Sequence, residues 1–176
     1  MWQTPPGIDT SNIISNAQVV RILDAESELI SQEPIGLGVA NAMSVYFGPD
    51  VITDDFTLLT VGGVTKLTFL TAGLTRIKLA LQFGRTGSAQ ISKLLFRILV
   101  NGTQGGRSIT QFISDADDEQ YLNDDNWVNI VPGVELEFQV IRDTSGNNSG
   151  GLFSFEPSEA GINRSPCAAL RLERFV

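Results

Sequence analysis

The sequence predicts an all-β, antiparallel sandwich or barrel. Three observations carry that prediction: apolar and polar residues alternate strictly in several runs, turn-forming dipeptides separate those runs, and helical periodicity is nearly absent. The clearest run is Leu74 to Phe83. Ile77, Leu79, Leu81 and Phe83 share one face, and Arg76, Lys78, Ala80 and Gln82 share the other, as a half-buried strand requires.

Lys93 to Asn101 alternates in the same way. Leu94, Phe96, Ile98 and Val100 form one face, while Lys93, Leu95, Arg97 and Leu99 form a second face that is itself half apolar. That mixture marks a strand covered on both sides, as beside a subunit contact. Val134 to Ile141 and Ala168 to Glu173 complete the strong set. Weaker strand patterns cover Gln18 to Leu23, Val39 to Phe47, Phe56 to Thr60, Val64 to Leu70, Ser108 to Ile113 and Trp127 to Val131. Gly62-Gly63, Asn101-Gly102 and Gly105-Gly106 supply the positive-φ residues of tight turns. Asp24 to Ser31 reads as either a short helix behind an Asp24 cap or an ordered loop.

The chain has 176 residues and no internal repeat, which fits one domain able to bury a core without disulfides or metals. It is 42% hydrophobic and 18% charged, with a net charge of −8. Such an acidic chain is repelled by phosphate backbones, so no nucleic-acid partner is expected. No apolar stretch approaches the roughly 18 residues that span a bilayer, and the N-terminus lacks the pattern of a signal peptide. The expectation is a soluble protein made in the cytoplasm, with no membrane partner. The first 17 residues differ from the rest: Pro5 and Pro6 are adjacent, and Trp2 and Ile8 are isolated large apolar groups. They read either as an extended arm, with Trp2, Pro5, Pro6 and Ile8 the candidate contacts to a neighbour, or as a partly frayed terminus with Trp2 packed on its own domain, ahead of one domain spanning 18–176.

Chemistry-bearing motifs are sparse. The chain has no histidine, which removes Ser-His-Asp and Cys-His pairs and the common zinc sites. No protected carboxylate pair or phosphate-cradling glycine loop stands out, so no enzymatic activity and no cofactor are expected. The single cysteine, Cys167, lies in an apolar run and reads as a buried, inert thiol. Asp115 to Glu119, followed by Asp124-Asp125, could offer oxygen ligands to calcium, but its spacing departs from an EF-hand and reads better as a solvated acidic loop. Arg85, Arg97 and Arg107 read as surface arginines able to pair across an interface. Tyr121 and Trp127 are the best candidates for an exposed aromatic patch, and read better as core-packing aromatics.

The order of the central motifs carries a resemblance. Ala72-Gly73-Leu74-Thr75-Arg76-Ile77 leads to Leu79-Ala80-Leu81-Gln82-Phe83-Gly84, then to Leu94 through Asn101-Gly102, then to Val131-Pro132-Gly133-Val134-Glu135-Leu136 and Arg142-Asp143-Thr144-Ser145-Gly146. This order resembles the tumour-necrosis-factor-like jelly rolls of tailed-phage structural proteins, over about residues 64 to 145. The resemblance implies an antiparallel jelly-roll sandwich of about 8–10 strands. It also implies a structural role: a capsid decoration (cement) protein that binds as a homotrimer on the outer capsid surface of a virion and bridges neighbouring major capsid subunits. Leu95, Arg97 and Leu99 are then the candidate trimer contacts. The alternative is a receptor- or glycan-binding head on a tail tip or fibre.

Overall fold

The computed structural model describes residues 19–86, 90–115 and 118–175. The arm with Trp2, Pro5, Pro6 and Ile8 therefore lies outside the described residues. Thirteen strands follow in order: β1 (Val19–Glu26), β2 (Ser31–Gln32), β3 (Met43–Ser44), β4 (Val51–Ile52), β5 (Phe56–Val61), β6 (Val64–Phe69), β7 (Gly73–Gly84), β8 (Ser92–Val100), β9 (Thr103–Ile113), β10 (Gln120–Ile130), β11 (Glu135–Arg142), β12 (Gly151–Phe153) and β13 (Ala168–Phe175). Nine of them have six or more residues, which matches the expected number of principal strands.

All thirteen pair antiparallel in two sheets that pack face to face as a jelly-roll sandwich. The first runs β1-β13-β7, with β10 on the other side of β7 and the short β12 and β2 continuing beyond β13's end. The second runs β4-β5-β6-β11-β8-β9, with β3 also on β11. The chain crosses between sheets at β2–β3, β6–β7, β7–β8, β9–β10, β10–β11 and β11–β12, so sequence neighbours often face each other across the core.

The period-two faces point as the alternation requires. Ile77, Leu79, Leu81 and Phe83 from β7 meet Leu94, Phe96 and Phe138 from the second sheet, all of them buried. Phe47 packs edge-on against Phe138 at 5.4 Å between ring centres. β11 and β13 contribute Leu136, Val140, Leu170 and Leu172 to the same core. Cys167 is fully buried and accepts a hydrogen bond from Gln32 Nε2 at 3.3 Å.

Two turns form as the dipeptides predict. Gly62 (φ 60°) and Gly63 (φ 82°) join β5 to β6, and Asn101 (φ 49°) and Gly102 (φ 78°) join β8 to β9. Both pairs suit a type I′ hairpin turn, whose twist matches that of the strands. The third pair is different. Gly105 and Gly106 lie inside β9, at a bulge where the register slips opposite Arg97. Gly106 has φ 76°, the left-handed backbone such a bulge needs.

The segment 24–31 is not a helix: β1 runs into it as far as Glu26, pairing Asp24 with Arg171 and Glu26 with Ala169, and Ser27 to Ile30 form a loop that leads into β2 at Ser31. A two-turn helix is marginal by itself, whereas β13 offers a complete ladder of partners. Val39 to Phe47 is less regular than expected. Val39–Asn41 is one 3-10 turn, and only Met43–Ser44 joins a ladder.

Because Phe96 is at the centre of the core, Phe96→Ala is expected to cost about 3–5 kcal/mol in urea unfolding. Thr110→Ala, at an exposed position of the adjoining strand, should stay within about 0.5 kcal/mol of the parent. Equal effects would contradict the core assignment.

Candidate functional site

Three surfaces of the sandwich carry side chains that could bind a partner. The outer face of the first sheet bears a lattice of charges spread over four strands. Arg76 on β7 grips Asp125 on β10 with two bonds, Nε–Oδ1 at 2.8 Å and Nη2–Oδ2 at 2.7 Å. Glu173 on β13 accepts from Lys78 at 3.1 Å and from Arg76 at 3.3 Å, and lies 3.2 Å from Arg171 Nε. Arg171 in turn faces Asp24 on β1 at 3.6 Å. The Lys78 hydrogen bond, helped by Arg76, holds the Glu173 carboxyl below its usual range, and the Arg76 hydrogen bond does the same for Asp125. Asp125, Asp124 and the two flanking asparagines look like a loop in sequence, yet they form the middle of β10. Full-length pairing with β7, from Gln120↔Phe83 to Ile130↔Gly73, outweighs their weak strand preference.

That register also corrects the reading of two aromatics as core-packing residues. Odd-numbered residues of β10 point outward, so Tyr121 is 58% and Trp127 49% exposed. Trp127 leans on Phe175 at 5.0 Å between rings, with the Arg76 guanidinium 5.3 Å above its ring. Tyr121 donates its hydroxyl to Glu119 at 2.6 Å, which pushes its pKa up to about 12.

The outer face of the second sheet holds the predicted trimer contacts together. Leu95, Arg97 and Leu99 follow one another along β8, opposite Ile141, Gln139 and Glu137 of β11. Arg97 donates to Gln139 Oε1 at 2.9 Å. Leu95 is half-buried and Leu99 9% exposed, while Phe112 on β9 is 55% exposed with Lys93 over its ring. Arg107 sits exposed in the β9 bulge. Arg85, read as a surface arginine, is instead buried: it donates to the Gln90 carbonyl and to the Ser114 carbonyl at 2.6 Å, tying together the segments that leave β7 and β9. In the acidic segment, Asp118 Oδ2 accepts the backbone N–H groups of Ser114 and Asp115, both at 3.1 Å.

The third surface has no counterpart in the sequence reading. β9 and β10 are the consecutive edge strands on one side of the sandwich, and between them a cleft of about 460 Å³ opens onto the core. Its floor is apolar, built from Ile77, Leu79, Ile98, Leu136 and Phe138. Asp124 and Asn126 stand at inward-facing positions of β10, and Gly105-Gly106 leave the β9 wall without side chains. The signal was present: those inward positions are polar, whereas Leu122 and Ile130 on the same face are apolar.

Fold and surfaces together define a jelly-roll sandwich of two antiparallel sheets. No protein-family model matches the chain, and no curated protein matches it. Among solved structures 84 chains match. One is the crystal structure of rabbit GITRL, 18% identical, covering 57% of this chain and 79% of that one with a TM-score of 0.27.

The depressed carboxyls on the first sheet set a pH dependence. A carboxyl whose folded pKa lies below its unfolded value contributes stability above the unfolded pKa and loses it as pH falls through the folded one. The parent should therefore lose stability as pH drops below about 4. Glu173→Gln, unable to lose that charge, should show a shallower decline in thermal midpoints followed by circular dichroism. An identical decline in both would contradict the lattice.

Proposed function

We propose that this chain is a structural virion protein, a capsid decoration protein that binds as a homotrimer on the capsid exterior and bridges neighbouring major capsid subunits. The observation that carries the reading is the set of apolar residues on the outer face of the second sheet. A solvent-facing sheet ordinarily turns polar residues outward, whereas here Phe112 is 55% exposed, with Leu95 half-buried and Leu99 buried on the same face. Arg97 in their midst, already oriented by Gln139, offers a charged group to a partner. The motif order over residues 64 to 145 supports the same class of protein. The net charge of −8 suits an outer surface, away from packaged nucleic acid. Attachment through three copies would let modest single contacts sum to stable binding, with Trp2, Pro5, Pro6 and Ile8 of the arm added to each.

A second reading, a receptor- or glycan-binding head of a tail tip or fibre, is favoured by one observation. Trp127 and Tyr121 stand outward on a rigid sheet, with Arg76 beside Trp127, and exposed aromatics next to hydrogen-bonding groups suit stacking against a ligand.

Immunogold labelling of purified virions with antibody against this chain separates the two. Label over the head supports decoration, label at the tail supports the recognition head, and absence of label from particles defeats both. In parallel, sedimentation should give three times the 19.1 kDa chain mass. Leu95→Asp should shift it to the single-chain mass while circular dichroism stays unchanged.

A further inference from the structure

We propose that the cleft between β9 and β10 is a binding site for a small organic cation, an apolar body carrying an ammonium head, with Asp124 as its counter-ion. This goes beyond the virion reading and does not depend on it. Polarity is distributed unevenly around the cavity. The second sheet lines it with Ile98, Val100, Leu136 and Phe138, and Gly105 and Gly106 add no side chain. Its carboxylate and amide groups all come from one strand, β10, as Asp124, Asn126 and Asn129.

Register fixes where those groups stand. Asp124 is the ladder partner of Leu79 and Asn126 that of Ile77, and both β7 residues are buried in the core. Directly opposed side chains on one face of a sheet lie roughly 5 Å apart, so the carboxylate and the amide border the apolar floor itself. Leu122 and Ile130, on the same face of β10, pack with the core, so two polar residues interrupt an otherwise apolar inward row. Asp124 is half-buried, and among the described residues neither its carboxylate nor the Asn126 amide has a hydrogen-bonding or ionic partner. Asp125, one position along and facing outward, is by contrast held by Arg76 through two bonds. An inward charge on an edge strand can also deter strand addition, but that role needs no cavity beside it.

The charge selects the ligand. Among the described residues Asp124 is the one ionisable group that lines the cleft, and Arg107 in the β9 bulge does not line it. Arg76 and Lys78 of β7 face outward and are paired with Asp125 and Glu173. An ammonium group brought by the ligand supplies the missing charge, and the Asn126 side-chain carbonyl can accept a second N–H. The volume of about 460 Å³ falls in the range of small-molecule sites, which combine an apolar lining with a few placed polar groups. An aryl or alkyl body rests against Phe138, Leu136 and Ile98 while its head stays at β10. The net charge of −8 disfavours an anion of the same shape.

Three probes of similar shape test this on the full ¹⁵N-labelled chain at neutral pH: 4-phenylbutylamine, which is protonated there, 4-phenylbutanol and 4-phenylbutyrate. The amine should shift the amide signals of Gly105, Gly106, Asn126 and Val128 saturably, and leave those of Val51 and Ile52 on the far edge in place. It should bind about tenfold more tightly than the alcohol, the gain expected from one hydrogen bond to a charged group. The butyrate should bind more weakly than either. Asp124→Asn should remove the advantage of the amine while leaving the alcohol's affinity and the circular dichroism spectrum unchanged. Equal affinities of amine and alcohol for the parent, shifts centred on the carboxylates of the outer face, or no saturable shift would each overturn the site. Retention of the amine preference in Asp124→Asn overturns the part given to that carboxylate. Should the variant fail to fold, the ranking of the three probes on the parent and the location of their shifts decide alone.

Discussion

The double pairing of β7 is the constraint on which the rest of the structure depends. This twelve-residue strand is hydrogen-bonded along its length to β10 on one side and to β13 and β12 on the other. Its strict alternation then settles two surfaces at once. Odd-numbered residues from Ile77 to Phe83 fill the core, and Arg76 and Lys78 are presented outward beside Asp125 and Glu173. A slip of one residue would exchange these sets, burying two cations and exposing Phe83, so both neighbouring registers are held by the same pattern.

Around that frame, three buried arginines secure the loops. Arg85 holds the segments after β7 and β9, and Arg174 reaches the carbonyls of Asp55 and Ala72 at the far end. Arg142 ties Gly150 and Asn148 together and pairs with Glu33 at 2.6 Å. A guanidinium is suited to this work because its planar fork satisfies several carbonyls at once and stays charged. Burial of such a group is costly unless it is bonded, which makes these loops specific in position. The Nε atoms of Arg85 and Arg174 are the exceptions, each buried without a hydrogen-bond partner.

The two broad outer faces divide the chemistry of the molecule. The first sheet is charged and self-neutralised, so its exposed aromatic edge is what remains for a partner. The second mixes Leu95, Leu99 and Phe112 with Lys93, Arg97, Gln104 and Thr110 where β8 meets β9. Between the sheets, the glycine bulge of β9 and the polar inward positions of β10 leave one side of the core unsealed. A sandwich closes where both edges turn bulky apolar side chains inward; here Gly105-Gly106 in β9 and Asp124 and Asn126 in β10 interrupt that pattern.

How much of this was legible from the residues differs by feature. Strand period, the Gly62-Gly63 and Asn101-Gly102 turns, the buried Cys167 and the common face of Leu95, Arg97 and Leu99 follow from local pattern, because side-chain direction in a strand depends only on position parity. The extension of β10 through Asn123-Asp124-Asp125-Asn126, the outward stance of Tyr121 and Trp127, and the bulge at Gly105-Gly106 do not. Each depends on a partner strand distant in sequence, whose ladder and charges override local preference. Arg85 is the sharpest case. Nothing in Phe83-Gly84-Arg85-Thr86 marks it as buried, since its two carbonyl partners come from separate loops that only the folded sandwich brings together. Composition and alternation thus determined that this chain forms sheets and which side chains share a face. Long-range pairing decided which faces are sealed, which are charged and where the core stays open.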